Sequence, residues 1–263
     1  MQSLKKYFML WQKLTVNSFL ISLTSRFNAS IFLLGKIMRF GFFIVFLLAI
    51  FTNTRFLANY SVLQTIFFFL SFNLVDNVTQ LFFREAYRFR PLIVTGQFDL
   101  ILVKPMNPLF RALAGGADPL DLIMLIPFIG ALVFVGSKIG NVTMISLLSY
   151  TVLLINGFLI ATAFHILVLA LAILTTEIDH TVMIYRDLTS MGRVPIDIYQ
   201  EPLRSILTFV IPVGMMMTFP AKAFLGLMSL PFIIISLAFG TIFFLICLRF
   251  WRYALSQYTS ASS

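Results

Sequence analysis

The chain has 263 residues, 60% of them hydrophobic and 11% charged, with a formal net charge of +9. Soluble domains carry about 25% charged residues, so a water-exposed globule is excluded and lipid is the solvent that fits. The basic excess is spread near the ends of apolar runs, as membrane topology produces, so nucleic acid is excluded as an expected partner.

Residues 1–30 open the chain with an amphipathic pattern. Leu4, Tyr7, Phe8, Trp11 and Leu14 recur at helical spacing, with Lys5, Lys6, Gln12 and Lys13 elsewhere on the wheel. This predicts a helix lying in the membrane surface. Lys13, Asn17 and Arg26 interrupt the early apolar residues, so no cleaved leader is expected. Spans 1 and 2 fill 31–83. The first, 31–51, holds Lys36 and Arg39 near its start, placed to snorkel to the headgroups. In the second, 61–83, Asn73, Asp76, Asn77 and Gln80 fall at i, i+3, i+4 and i+7 and share one helical face. That stripe reads as the lining of a translocation path or dimer interface, or as ordinary interhelical hydrogen bonding.

A polar connection, 84–118, separates these from spans 3 and 4, 119–174. Span 4 stays apolar from Val142 to Leu174, about 50 Å of helix against a hydrocarbon core of about 30 Å. Residues 175–204 read as a second polar connection. Its Glu177, Asp179 and His180, with His165 inside span 4, could form a loose ligand set, but one such cluster is weak evidence and a solvated helix end explains it well. Spans 5 and 6 occupy 205–248. Pro212 interrupts the fifth, and FPAKAFLG at 219–226 predicts a short re-entrant segment before the sixth. Cys247 is the only cysteine, which excludes an intramolecular disulfide and a multi-cysteine metal site. Residues 249–263 form a tail. Most of the 19 Lys and Arg residues fall on the side of the termini and the two connections, which predicts that side to be cytoplasmic, in a cell (inner) membrane. The expected fold is an all-α integral membrane protein with six transmembrane helices. No phosphate-cradling loop occurs: in GALVFVGSK, 130–138, the glycines are one residue too far apart. The chain is therefore not expected to be an enzyme or to bind ATP or a metal itself.

The segment GQFDLILVKPMNPLF, 96–110, lies in the first connection. Lys104–Pro105 and Asn107–Pro108 break regular structure. The pieces between them suit a docking surface for a soluble partner, or a loop folded on the membrane face. Gly96, Asp99, Leu100, Ile101, Pro105, Asn107, Pro108, Leu109 and Phe110 resemble a block of type-2 ABC exporter permeases. A second block in 192–226 agrees, through Pro195, Ile198, Tyr199, Arg204, Leu207, Thr208, Phe209, Ile211, Pro212, Pro220 and Ala221. Gln200 departs from the pattern, which has a proline there.

The resemblance implies a half-channel that pairs with a second permease half, a copy or a related chain, above two cytoplasmic ABC ATPase subunits. ATP and Mg would enter through those subunits only. Gly96, Asp99, Lys104, Pro105, Asn107, Pro108 and Phe110 would form the loop that couples them. Two other readings of the residues remain at this stage: a stand-alone membrane enzyme or ion-coupled carrier using Asp76 and His165, and a non-catalytic membrane anchor.

Overall fold

The computed structural model describes residues 2–24, 26–140, 142–175 and 178–259, and all regular structure among them is helical. α1 (Gln2–Thr24) carries the amphipathic pattern and α2 (Arg26–Asn53) the first apolar run. α3 (Val62–Phe83) starts at Ser61, which forms a capping box with Gln64; two orphan amides of the helix start are satisfied there. After a tight turn at Arg84–Arg88 come three short helices, α4 (Phe89–Val94), α5 (Gln97–Leu102) and α6 (Pro108–Leu113). α7 (Pro119–Lys138), α8 (Met144–Thr175) and α9 (Ile178–Ser190) follow. α10 (Leu203–Ser205) runs into π-helical turns that lead to α11 (Phe219–Phe224), and α12 (Leu230–Ser256) closes the order.

Five stretches are long and apolar enough to cross a bilayer: α2, Val62–Val94, α7, α8 and α12. α8 is the axis of the bundle, with Leu153, Ile160, Ala161 and Leu169 fully buried. Lipid gives packed helices no hydrophobic advantage, so close approach and interhelical hydrogen bonds must hold them. Asn156 Nδ2 donates to the Ser236 carbonyl and hydroxyl on α12 at 3.0 and 3.1 Å. A Cβ on Gly157 would lie 2.6 Å from the Met216 carbonyl oxygen, an atom of rigid backbone. Gly157→Ala therefore costs about 1–3 kcal/mol, read as a lower unfolding midpoint in detergent. Gly130→Ala, whose Cβ meets nothing within 4 Å, serves as the control and leaves the midpoint in place.

The course of 175–204 corrects the sequence reading. α9 turns back along α8, where Tyr185 packs on His165 with ring centroids 5.0 Å apart. Gly192 then meets Met217 and Val213. Asp197 reaches the start of α3, accepting from Tyr60 at 2.9 Å and from Lys222 at 2.7 Å. Residues 178–197 thus climb the bundle from the α5–α6 end to the opposite end. By composition Arg186, Asp187 and Arg193 belong in water; here Arg186 and Arg193 meet aromatic faces, described below.

The expected fifth span, 205–219, does not cross. Leu203–Val210 and Gly214–Phe224 are bent by 79° to each other. Arg204 lies with Ala58 and Tyr60 at the opposite end, Met216 touches Gly157 about 20 Å down α8, and Gly226 returns to Ser146 in the first turn of α8. This is a re-entrant hairpin, longer than the segment read from 219–226, and 178–197 supplies the sixth crossing. Pro212 at its bend lacks an amide donor. Non-helical backbone at this depth needs protein cover, and Val213, Met215 and Met216 at the tip are all fully buried.

Candidate coupling hairpin and intramembrane cavity

The α5–α6 hairpin is built by local chemistry. Gly96 takes φ 72° between α4 and α5, a left-handed turn that costs glycine no steric strain. Asn107 caps α6, its side chain accepting from the Leu109 amide at 2.9 Å, and Pro108 sits where no amide is needed. The inner face of α5 is held: Phe98 is fully buried, with ring centroids 5.0 Å from Phe89 and 5.2 Å from Tyr258. Asp99 lies beside the Tyr258 hydroxyl; burial, then that carboxylate, push the hydroxyl up to about 12, so this contact stays protonated at neutral pH. Arg111 ties α6 to Glu85 at 2.9 Å. The outer face is free, with Leu100 62% and Val103 80% exposed.

α1 clasps this hairpin. Lys6 Nζ donates to the Pro105 carbonyl at 2.7 Å, and the Tyr7 hydroxyl accepts from the Asn107 amide at 2.9 Å. The Tyr7 and Phe110 ring centroids are 4.8 Å apart, and Thr15 Oγ1 accepts from the Ala117 amide at 3.0 Å. Gly96, Asp99, Lys104, Pro105, Asn107, Pro108 and Phe110 thus stand in one hairpin, with Lys104 exposed at its tip. The sequence carries no local sign of the clasp, because its two halves lie about a hundred residues apart.

Asn73, Asp76, Asn77 and Gln80 all line a cavity of about 70 Å³ between α2, α3, α7 and α9. Three of the four are bonded to protein. Asn73 Nδ2 donates back to the Phe69 carbonyl at 2.7 Å, and Asn77 Nδ2 to the Asp121 carbonyl on α7 at 2.7 Å. Gln80 donates to the Tyr87 hydroxyl at 3.1 Å, which is 3.0 Å from His165 Nε2. His165 Nδ1 faces the Ala161 carbonyl at 2.8 Å. A carbonyl only accepts, so Nδ1 holds the proton and Nε2 takes that of Tyr87. Asp76 alone of the stripe makes no hydrogen bond or ion pair among the described residues and faces the cavity.

Cations dominate the cavity wall. Lys36 does not snorkel outward as its position near the span start predicted; it turns inward and pairs with Asp121. Asp121 is 1% exposed and also takes Arg84 at 3.2 Å, while Arg84 reaches Asp118 as well. A buried carboxylate needs such partners, and that need draws Lys36 in. Arg39, Arg186 and Arg193 line the same space. Arg186 stands over the Tyr87 ring and Arg193 over the Phe72 ring, each 6.0 Å from the centroid.

A family model described as ABC-2 family transporter protein matches residues 37–262. The chain belongs to the ABC-2 transporter family. No curated protein and no solved structure matches it. The match covers both blocks that carried the resemblance, 96–110 and 192–226, so this ABC-2 protein is a multi-pass membrane permease, the transport subunit of an ABC transporter. In the ABC-2 chain, His165 is bonded through Tyr87 to Gln80, and no hydrogen bond among the described residues joins Asp76 to these three. Among the described residues no group of three or more His, Cys, Asp or Glu could hold a metal ion. Glu177 and the side chains of Asp179 and His180 lie outside the described residues.

Proposed function

We propose that this permease is one half of an ATP-driven exporter. A separate cytoplasmic ABC ATPase binds the outer face of the α5–α6 hairpin, two such subunits serve two permease halves, and ATP and Mg enter only through them. The observation that carries this reading is the hairpin: two large apolar side chains, Leu100 and Val103, stand exposed on a scaffold braced by α1, α4 and Tyr258. An exposed apolar pair on a rigid support is a site for a protein partner. Movement of the ATPase reaches the spans through Phe98, Tyr258 and the α1 clasp. The two states differ in free energy only through such differential contacts. A second half, identical or related, covers the open side of the cavity along α2 and α9. Support comes from α2, which buries little of itself and exposes Phe42, Val45 and Phe46.

Co-expressed with the ABC ATPase encoded nearest to it, the tagged permease retains that ATPase through purification; a permease recovered alone from every such pairing sinks the proposal. Orientation has its own test. In a Cys247→Ser background, Lys104→Cys escapes an impermeant maleimide applied to intact cells, and Asn59→Cys reacts with it. Labelling of position 104 from outside reverses the assignment of the cytoplasmic side.

A further inference from the structure

The cavity between α2, α3, α7 and α9 has an unusual charge balance for lipid depth. Five cations line it, Lys36, Arg39, Arg84, Arg186 and Arg193, against the carboxylates of Asp76 and Asp121. Lys36 and Arg84 are already matched to Asp121 and Asp118. Three arginines then share Asp76, which makes no direct ion pair with any of them among the described residues. Arg39, Asp76, Arg186 and Arg193 also line one smaller adjoining space. Two of the guanidinium groups are positioned by ring faces, which orient a cation without neutralising it. Uncompensated arginines at membrane depth are costly and mark a substrate path or a missing counter-charge. Five phenylalanines also line the cavity, Phe40, Phe43, Phe69, Phe72 and Phe128, beside Met124 and the amides of the α3 stripe. The cavity itself is small, about 70 Å³, room for a few waters or a headgroup-sized anion and not for an acyl chain.

We propose that this cavity binds the headgroup of an anionic amphiphile, a phosphate- or carboxylate-type group held by Arg39, Arg186 and Arg193, while the apolar chain stays outside the cavity, in the lipid beside α2. The inference rests on the permease reading and names the substrate class for it. Guanidinium groups suit this task because they present paired donors to a planar or tetrahedral oxyanion. Asp76 opposes the headgroup, so it sets an upper limit on affinity and favours release.

The test uses the full chain in dodecyl maltoside, titrated with dioctanoyl phosphatidic acid, dioctanoyl phosphatidylcholine or inorganic phosphate, with binding read by native mass spectrometry. Phosphatidic acid binds saturably, about tenfold more tightly than phosphatidylcholine, and inorganic phosphate does not compete at comparable concentration. Arg39→Ala and the double variant Arg186→Ala/Arg193→Ala each weaken it about tenfold; Arg249→Ala/Arg252→Ala, outside the cavity, does not. Asp76→Asn is nearly isosteric and tightens binding severalfold, a change that a purely structural role would not produce. Equal binding of the two lipids, or no response to the cavity arginines, overturns the proposal. Competition by inorganic phosphate at comparable concentration overturns the amphiphile part and assigns the site to a free anion. ATPase retention on the hairpin is measured in parallel. Retention without lipid binding leaves the permease reading standing and removes the substrate class; lipid binding without retention does the reverse.

Discussion

Asp121→Ala lowers the unfolding midpoint of the detergent-solubilised chain, with a loss of about 3–5 kcal/mol. Asp121 is 1% exposed at the first turn of α7, and it is the point where Lys36 of α2 and Arg84 below α3 meet. Its removal leaves Lys36 without a carboxylate beside a cavity already rich in arginine, while Arg84 keeps only Asp118. The loss exceeds the worth of the ion pair itself, because a part-buried Lys36 is left with no counter-charge. The same logic predicts rescue. Asp121→Leu combined with Lys36→Met removes charge from both partners, leaves Arg84 with Asp118, and recovers much of the stability, since apolar pairs often replace buried ion pairs at no net cost. A wild-type midpoint for Asp121→Ala rejects the three-helix junction as a source of stability.

Leu100→Asp and Val103→Asp each reduce ATPase retention by about thirtyfold or more, as expected when a central apolar contact worth about 2 kcal/mol is replaced by a buried charge. Neither moves the unfolding midpoint of the permease by more than about 0.5 kcal/mol, because neither side chain is packed within the permease. Phe98→Ala behaves in the opposite way. Phe98 is fully buried between Phe89 and Tyr258, so its loss costs about 3–5 kcal/mol of stability and weakens retention only by loosening the hairpin. The three variants together separate a docking face from a packing face on one short helix. ATPase retention unchanged by both aspartate variants places the docking surface elsewhere.

The hairpin was legible in the sequence because its determinants are local. Gly96 permits the left-handed turn, Asn107 caps its own helix two residues on, and Pro108 occupies a position that needs no amide. The stripe from Asn73 to Gln80 was legible for the same reason: four residues at helical spacing share a face whatever that face meets. What it meets was not legible. Asn77 bonds to α7, Gln80 to Tyr87, and Asp76 opens toward arginines on α9.

Hydrophobic run length alone settled that the chain lives in lipid and where α2, α3, α7, α8 and α12 cross, since the transfer cost of an apolar run depends on the run itself. Packing decided the rest. Residues 178–197 look like a water-facing connection, and they cross because Arg186 and Arg193 find ring faces and Asp197 finds Tyr60 and Lys222. The cost of placing a charge in a bilayer depends on its neighbours, and here those neighbours belong to other helices, out of reach of any reading of the segment in isolation.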